Sequence, residues 1–433
     1  MKKYLLALLP GLLATGLAAQ EPWPLERCVA YALEHNLDIR KQELAVAVRK
    51  TELTAGWLGH LPALRLQVGQ DFNWGRSVDM QELVIIRNKL THATGASLNA
   101  SVALFEGTAR HYNRLAAGKA VEAARATAQE LRERLAIDVT RAFLQLMLAR
   151  QIYAYSQESY ATISQQQDWT ARLVEAGSQP KSALAEMQAQ SASEKAAMVA
   201  ASCRVRTATL ELTRLMNLPP DSDFAAAEPF GQETLAIRVP VIPTTQIEDY
   251  LTKDPRLRGA KATVAERRHL LAAARGGFLP SLTVTAGYGT YYSSTAEEPF
   301  RTQLDENRNP SLSFTLGIPV FSAGTLLTRT RQSRLALETA QLEAERARVE
   351  IVDEIRTAAI EAENACQHYL SARETLDAMQ ELLQVTEAKY DLGAASALDY
   401  VLARNQHFKA MSDYLQAKWQ YLFQLRLLEH YRP

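Results

Sequence analysis

Leu61-Pro62-Ala63-Leu64-Arg65-Leu66-Gln67-Val68 is the point where a helical pattern stops and a strand pattern begins. The same change returns at Leu279-Pro280-Ser281-Leu282-Thr283-Val284-Thr285-Ala286. Sliding the chain by 218 positions (280 − 62) lays Leu61 on Leu279, Pro62 on Pro280, Gly69 on Gly287 and Asn36 on Asp254. Proline has no N–H to donate, and it pushes the residue before it out of the α region. Pro62 and Pro280 are therefore read as helix-to-strand switches, one in each half of the chain.

Working outward from Pro62, residues from about 24 to 58 carry helical spacing at Val29, Leu33, Leu37, Leu44 and Val48. After it, Leu64, Leu66, Val68, Phe72 and Trp74 alternate with Arg65, Gln67, Gly69, Asp71 and Asn73. That is the period of a strand with one apolar face. Residues 77–95 show no clean period and read as a loop. A second strand near 96–105 sets Leu98, Ala100, Val102 and Leu104 against Ser97, Asn99 and Ser101. From about 108 to 176 there is no proline and one glycine, Gly118, so one very long helix is expected. Gly177 and Pro180 break it in the order that ends one helix and starts the next.

Around Pro280 the pattern repeats. A helix is expected over about 244–276, then a strand near 280–292 with Leu282, Val284, Ala286 and Tyr288 on one face. A polar loop follows over about 293–309. A fourth strand near 310–321 carries Leu312, Phe314, Leu316, Ile318 and Val320. Thr325 to Leu392 contains neither glycine nor proline, and Gly393 to Ser396 breaks the second long helix. Gly177 meets Gly393 at an offset of 216 (393 − 177). The chain is thus read as a tandem repeat: 20–218 and 244–433, each helix, two strands, long helix, helix, joined by a proline-rich linker at 219–243. Residues 1–19 read as a signal peptide, with Lys2 and Lys3 before a short apolar core and a small-residue site at Ala18-Ala19.

Composition excludes several function classes. Lys+Arg and Asp+Glu are both 48, so no basic excess points to nucleic acid. There is no H-E-x-x-H, no G-x-S-x-G and no phosphate-binding glycine loop, so neither catalysis nor a cofactor is expected. The eight histidines are scattered away from metal spacing. Cys28, Cys203 and Cys366 are an odd set with no C-x-x-C and read as small buried hydrophobes.

Four strands of this length and alternation suit a membrane β-barrel, and Trp74, Tyr288, Tyr291 and Tyr292 near their ends suit a membrane interface. Four strands cannot close a barrel alone, because open edges in lipid leave backbone groups unpaired. Two copies would give eight strands and three would give twelve. In the second long helix Val352, Ile355, Ala359, Ala362, Cys366 and Tyr369 step by three and four, a coiled-coil seam. A barrel continued by a ring of helices fits these patterns. So does a periplasmic coiled-coil protein capped by a soluble sheet, with no transport activity.

The repeat, the two Leu-Pro-x-Leu switches, the strand endings Leu104-Phe105-Glu106-Gly107 and Val320-Phe321-Ser322-Ala323-Gly324, and the break Tyr390-Asp391-Leu392-Gly393 resemble the TolC family of outer-membrane efflux proteins. The resemblance implies a mainly α fold with a membrane β-barrel. Three copies would build one twelve-stranded barrel from four strands per chain, continued by a long α-helical coiled-coil tunnel across the periplasm. It implies a passive exit duct in the outer membrane, not an enzyme. Its partners would be outer-membrane lipid, a periplasmic adaptor and an inner-membrane pump. Loops at 77–95 and 293–309 would be extracellular. Gly177, Pro180, Gly393 and Ser396 would mark the periplasmic tip turns. Asp399 and Tyr390 match the family's constriction and latch positions. The next acidic position is Leu402 here, the basic position is Ala395, and the acidic latch position of the first half is Ala183. Asp399 is equally placed to cap a helix start.

Overall fold

The computed structural model describes residues 22–78, 85–219, 224–227 and 244–431. The expected signal peptide and most of the expected linker lie outside the described residues. The chain runs α1 (Leu25–His35), α2 (Leu37–Leu58), β1 (Ala63–Val78), β2 (Ile85–Glu106), α3 (Ala109–Glu175), α4 (Lys181–Met216), α5 (Thr244–Lys253) and α6 (Pro255–Gly276). It continues through β3 (Ser281–Ser293), α7 (Phe300–Glu306), β4 (Asn309–Gly317), α8 (Thr325–Asp391) and α9 (Ala397–His430). The two long helices, α3 and α8, are 67 residues each. The helices that lead into the proline switches, α2 and α6, are 22 residues each.

Five expected boundaries move, each for a local reason. The single helix expected over 24–58 breaks at Asn36, whose ψ of 127° leaves the helical region. The helix expected over 244–276 breaks at the matching Asp254, where Pro255 opens the new helix. The loop expected at 77–95 is mostly strand: β1 runs to Val78 and β2 starts at Ile85, paired through Val78↔Ile85. The loop expected at 293–309 contains α7. The strand expected to reach 321 stops at Gly317. Pro319 cannot donate to a ladder, and Val320 and Phe321 beyond it stand 93% and 88% exposed.

The described residues form two compact units, and α3 and α8 contribute to both. One unit comprises residues 38–78, 85–131 and 244–356. Its sheet is an antiparallel meander in the order β1-β2-β3-β4. The register Leu66↔Leu98, Leu98↔Tyr288, Val102↔Val284 and Val284↔Phe314 gathers the apolar residues of all four strands on one face. That face is open: Leu64, Leu66 and Val68 are 69%, 70% and 68% exposed. The helices keep the order of the strands. Arg114 of α3 lies over the Trp57 ring of α2 at 4.0 Å, Tyr112 of α3 stacks on His269 of α6 at 6.2 Å, and Arg256 of α6 pairs with Glu354 of α8 at 2.6 Å. The turn from β2 into α3 meets the end of α6 backbone to backbone. A Cβ on Gly107, whose φ is +56°, would collide with the Gly276 carbonyl.

The other unit comprises residues 22–37, 132–219, 224–227 and 357–431. It is helical, with α1 beside α4 and α4 beside α9. Asn36 donates to the Leu215 carbonyl at 3.1 Å and ties α1 to the end of α4. Trp23 makes a parallel bridge to Ala226. The α8 seam packs through Ala365, Cys366, Tyr369 and Ala372 against Ala417 and Tyr421 of α9. Cys28 and Cys366 are buried, as small apolar residues are. Cys203 is not: it is exposed on α4, where Arg206 donates to its sulfur at 3.4 Å.

Candidate functional site

Two surfaces carry the residues singled out above: the turns that end the helical unit, and the polar face of the sheet. Each turn is built alike. At the end of α3, Gly177 takes φ +73°, its N–H donates to the Val174 carbonyl at 3.1 Å and Ser178 N–H to Leu173 at 2.9 Å. At the end of α8, Gly393 takes φ +71°, its N–H donates to Tyr390 at 2.9 Å and Ala394 N–H to Lys389 at 2.7 Å. Both are six-to-one, five-to-two helix ends, which need a left-handed residue and hence glycine. The turns differ at the next helix. Pro180 precedes α4 without a side-chain cap. Ser396 caps α9 in a reciprocal box: Asp399 N–H donates to the Ser396 hydroxyl oxygen, and Ser396 N–H donates to the Asp399 carboxylate, both at 3.1 Å. The Ser396 hydroxyl also donates to that carboxylate at 2.7 Å.

Asp399 is exposed. The Ser396 hydroxyl, and then its backbone N–H, stabilise the charged carboxylate and hold it below its ordinary pKa. Leu402 is exposed one turn on. Tyr390 is buried. It joins Ile163, Ala183, Met187, Ala397 and Tyr400 in an apolar cluster beneath the turns. Of the residues expected at the constriction, Asp399 and Leu402 are on the surface, and the expected latch residue, Tyr390, is in the core.

A partly buried polar array lies above that cluster, and no motif in the sequence singled it out. Arg404 of α9 donates to the Tyr400 hydroxyl at 3.1 Å and to the Ser159 carbonyl of α3 at 3.1 Å. Gln190 of α4 donates to Asn405 at 2.8 Å and to Glu194 at 3.0 Å, and Glu194 is 4% exposed. The Tyr155 hydroxyl meets His407 Nδ1 at 2.8 Å. Burial raises the Tyr155 phenol to about 12, and burial followed by Arg404 lowers the His407 imidazole. The one available signal was spacing. Arg404 sits four residues after Tyr400, on the face that packs.

The opposite face of the sheet is polar and concave. Gln67, Asp71, Ser97, Asn99, Asn309 and Ser311 line a hollow of about 480 Å³ floored by Gly69, Gly95, Gly287 and Gly289. The register pairs Tyr291 with Gly95 on this face, whereas Tyr288 pairs with Leu98, Tyr292 with Thr94 and Trp74 with Leu90 on the other, so Tyr291 belongs with the polar residues. The segment carrying α7 is tied to the end of β3. Buried Gln303 accepts from Ser293 N–H at 2.9 Å and donates to the Glu298 carbonyl at 2.7 Å. Among the described residues no group of three or more His, Cys, Asp or Glu could hold a metal ion. No described helix is long and apolar enough to cross a membrane.

A sheet with an exposed apolar face and a polar one, joined to two 67-residue helices, is a particular combination, and it has relatives. The profile of the Outer membrane efflux protein family matches residues 29–218 and 246–430. The chain belongs to that family. It is similar to the outer membrane efflux protein BepC of Brucella suis, with 22% identity over 92% of this chain and 82% of that one. It is similar to the alkaline protease secretion protein AprF of Pseudomonas aeruginosa, with 24% identity over 67% of this chain and 59% of that one. Its fold is that of the Campylobacter jejuni CmeC outer membrane channel, with a TM-score of 0.83 at 16% identity over 94% of this chain and 85% of that one. Family and fold make the chain an outer-membrane channel protein, a passive conduit and not an enzyme.

Proposed function

We propose that three copies of this chain close one twelve-stranded barrel in the outer membrane and serve as the exit duct of a tripartite efflux or type I secretion system. The observation that carries this reading is the four-stranded meander with a lipid-compatible face and two outer strands, β1 and β4, each paired on one side. In lipid each unpaired backbone group costs several kcal/mol. Joining β1 of one copy to β4 of the next removes every edge, and three copies give a strand number of which closed barrels are made.

On this reading small molecules or peptides pass from an inner-membrane pump through a periplasmic adaptor into the helical part and out through the barrel. The energy comes from the pump. The turns at Gly177–Pro180 and Gly393–Ser396 form the periplasmic tip where the adaptor docks. Asp399 and Leu402 line the constriction. Tyr390 fastens α8 to α3 through the Thr170 hydroxyl, 3.4 Å away.

The test is the native mass of the processed protein extracted in detergent from an outer-membrane fraction. A trimer is expected. A monomer or dimer recovered without detergent would overturn the barrel and the duct together.

A further inference from the structure

We propose that the groove between α3 and α6 is a binding site for a polyanion, a ligand that presents several phosphates or carboxylates in a row. The groove encloses about 620 Å³ and is lined by Lys119, Glu122, Arg125 and Gln129 of α3 and by Arg258 and Lys261 of α6. Its floor is small: a Cβ on Gly259 would lie 3.2 Å from that of Ala126, so the two helices approach closely and the long side chains rise on either side. Four cations face one carboxylate. Glu122 is already engaged, with Lys119 Nζ at 2.9 Å from both its oxygens. Arg125, Arg258 and Lys261 take part in none of the ion pairs among the described residues.

A local excess of this kind in a chain of zero formal net charge is not a property of the whole surface. Neither is it masked by a neighbouring copy. The helices of this unit lie in the order α2-α3-α6-α8, so a second copy joined edge to edge meets α2 or α8, and the α3–α6 groove stays in the middle of one chain's share. Arg258 and Lys261 stand about one turn apart on α6, and Lys119 and Arg125 flank Glu122 on α3, so positive charge runs along both walls of the groove and is not gathered in a single pocket. A line of positive charge selects a chain of negative groups over a lone anion. The groove starts about 15 Å along α3 from its first residue. Ligands of this chemistry could come from two sources: a passenger inside the duct, or an anionic polymer outside it.

The proposal is tested with the full chain in detergent and a short linear polyphosphate as the probe, followed by titration calorimetry at low and high salt. Binding is expected at low salt and its loss at high salt. The Arg258→Gln, Lys261→Gln double variant should bind roughly tenfold more weakly. Glu122→Gln, which removes the one counter-charge and frees Lys119, should bind more tightly. Absence of binding by the wild type, equal binding by the double variant, or weaker binding by Glu122→Gln would overturn the proposal. Adding polyphosphate to either side of a planar bilayer separates the sources. Block of current marks a passenger in the lumen, and binding without block marks a polymer outside. The calorimetry stands whether or not the protein conducts, so failure of the site and failure of the duct are distinguishable.

Discussion

Tyr390 and Tyr400 stack across the turn that joins α8 to α9, with ring centroids 5.2 Å apart and planes 17° from parallel. Both rings are buried, Tyr400 takes a hydrogen bond from Arg404, and Tyr390 reaches Thr170. The stack therefore ties the turn to α3 through two hydroxyls as well as through apolar area. Truncation of Tyr400 to Ala should cost about 3–5 kcal/mol, because it leaves a cavity between helices that cannot collapse onto it. Tyr400→Phe keeps the ring and loses one hydrogen bond, worth about 1 kcal/mol. Limited proteolysis reads the difference: cleavage within 392–396 should speed up strongly in the Ala variant and little in the Phe variant. Cleavage of the Ala variant at the wild-type rate would show that the stack does not hold the turn.

The capping box makes a pH prediction for the same turn. Hydrogen bonds from Ser396 depress the Asp399 pKa, so the folded chain favours the carboxylate. For a depressed carboxyl the stabilisation is complete above the unfolded pKa and is lost as pH falls through the lower, folded value. Ser396→Ala removes the hydroxyl and should move the loss up toward the ordinary carboxylate range, with the remaining backbone N–H still holding part of the shift. If Asp399 lines the constriction, cation preference in planar-bilayer recordings should follow the same titration. It should persist below the ordinary carboxylate range in the wild type, shift upward in Ser396→Ala, and fall in Asp399→Ala. Unchanged preference in Asp399→Ala would leave this residue as a helix cap alone.

The long helices and the facing of the strands were legible because each rests on a local rule. Pro62 and Pro280 stop helices, period-two alternation marks a half-apolar strand, and Gly177 and Gly393 supply left-handed helix ends. The first part of β2 was not legible. Leu90, His92 and Thr94 share a face with Leu98 and Ala100 yet mix polar with apolar types, and only pairing with β1 (Phe72↔His92, Trp74↔Leu90) shows the strand. The break at Asn36 hid inside an unbroken apolar spacing. Val352 and Ala359 were placed on the α8 seam, but burial is greatest one residue earlier, at Ile351 and Ala358, a shift within the width of a helix face. Arg404, Gln190 and Glu194 are residue types that normally face water. The burial of Gln190 and Glu194 and the half-burial of Arg404 are decided by three helices together, and no single helix shows it.

The register places Val284 between Val102 and Phe314 on the apolar face, while its neighbour Thr283 lies on the polar one. Charge on the two faces should therefore have opposite outcomes. Val284→Arg should impair insertion by about 2–4 kcal/mol if the position lies near the bilayer midplane, whereas Thr283→Arg should assemble nearly as the wild type does. The readout is the fraction of each variant recovered as folded protein in the outer membrane. Equal recovery of the two would mean that the facing of β3 is wrong.

Asp254 is 1% exposed and does two things at the head of α6. One oxygen accepts from the Arg256 backbone N–H at 2.7 Å as the helix cap. The other takes the Arg256 guanidinium at 3.2 Å, which also reaches Glu354 on α8 at 2.6 Å. Burial opposes the charge on Arg256, but the hydrogen bonds it donates to Asp254 and Glu354 outweigh it and hold the guanidinium above its ordinary pKa. Asp254→Asn keeps a cap acceptor and removes the charge, so it should cost about 1 kcal/mol. Asp254→Ala removes both and should cost about 2–3 kcal/mol. That is below the roughly 3–5 kcal/mol of a fully buried pair, because Arg256 remains open to solvent. Urea titration of the helical circular dichroism signal in detergent should rank wild type above Asn above Ala. An Asn variant as unstable as the Ala variant would assign the whole effect to the ion pair and none to the cap.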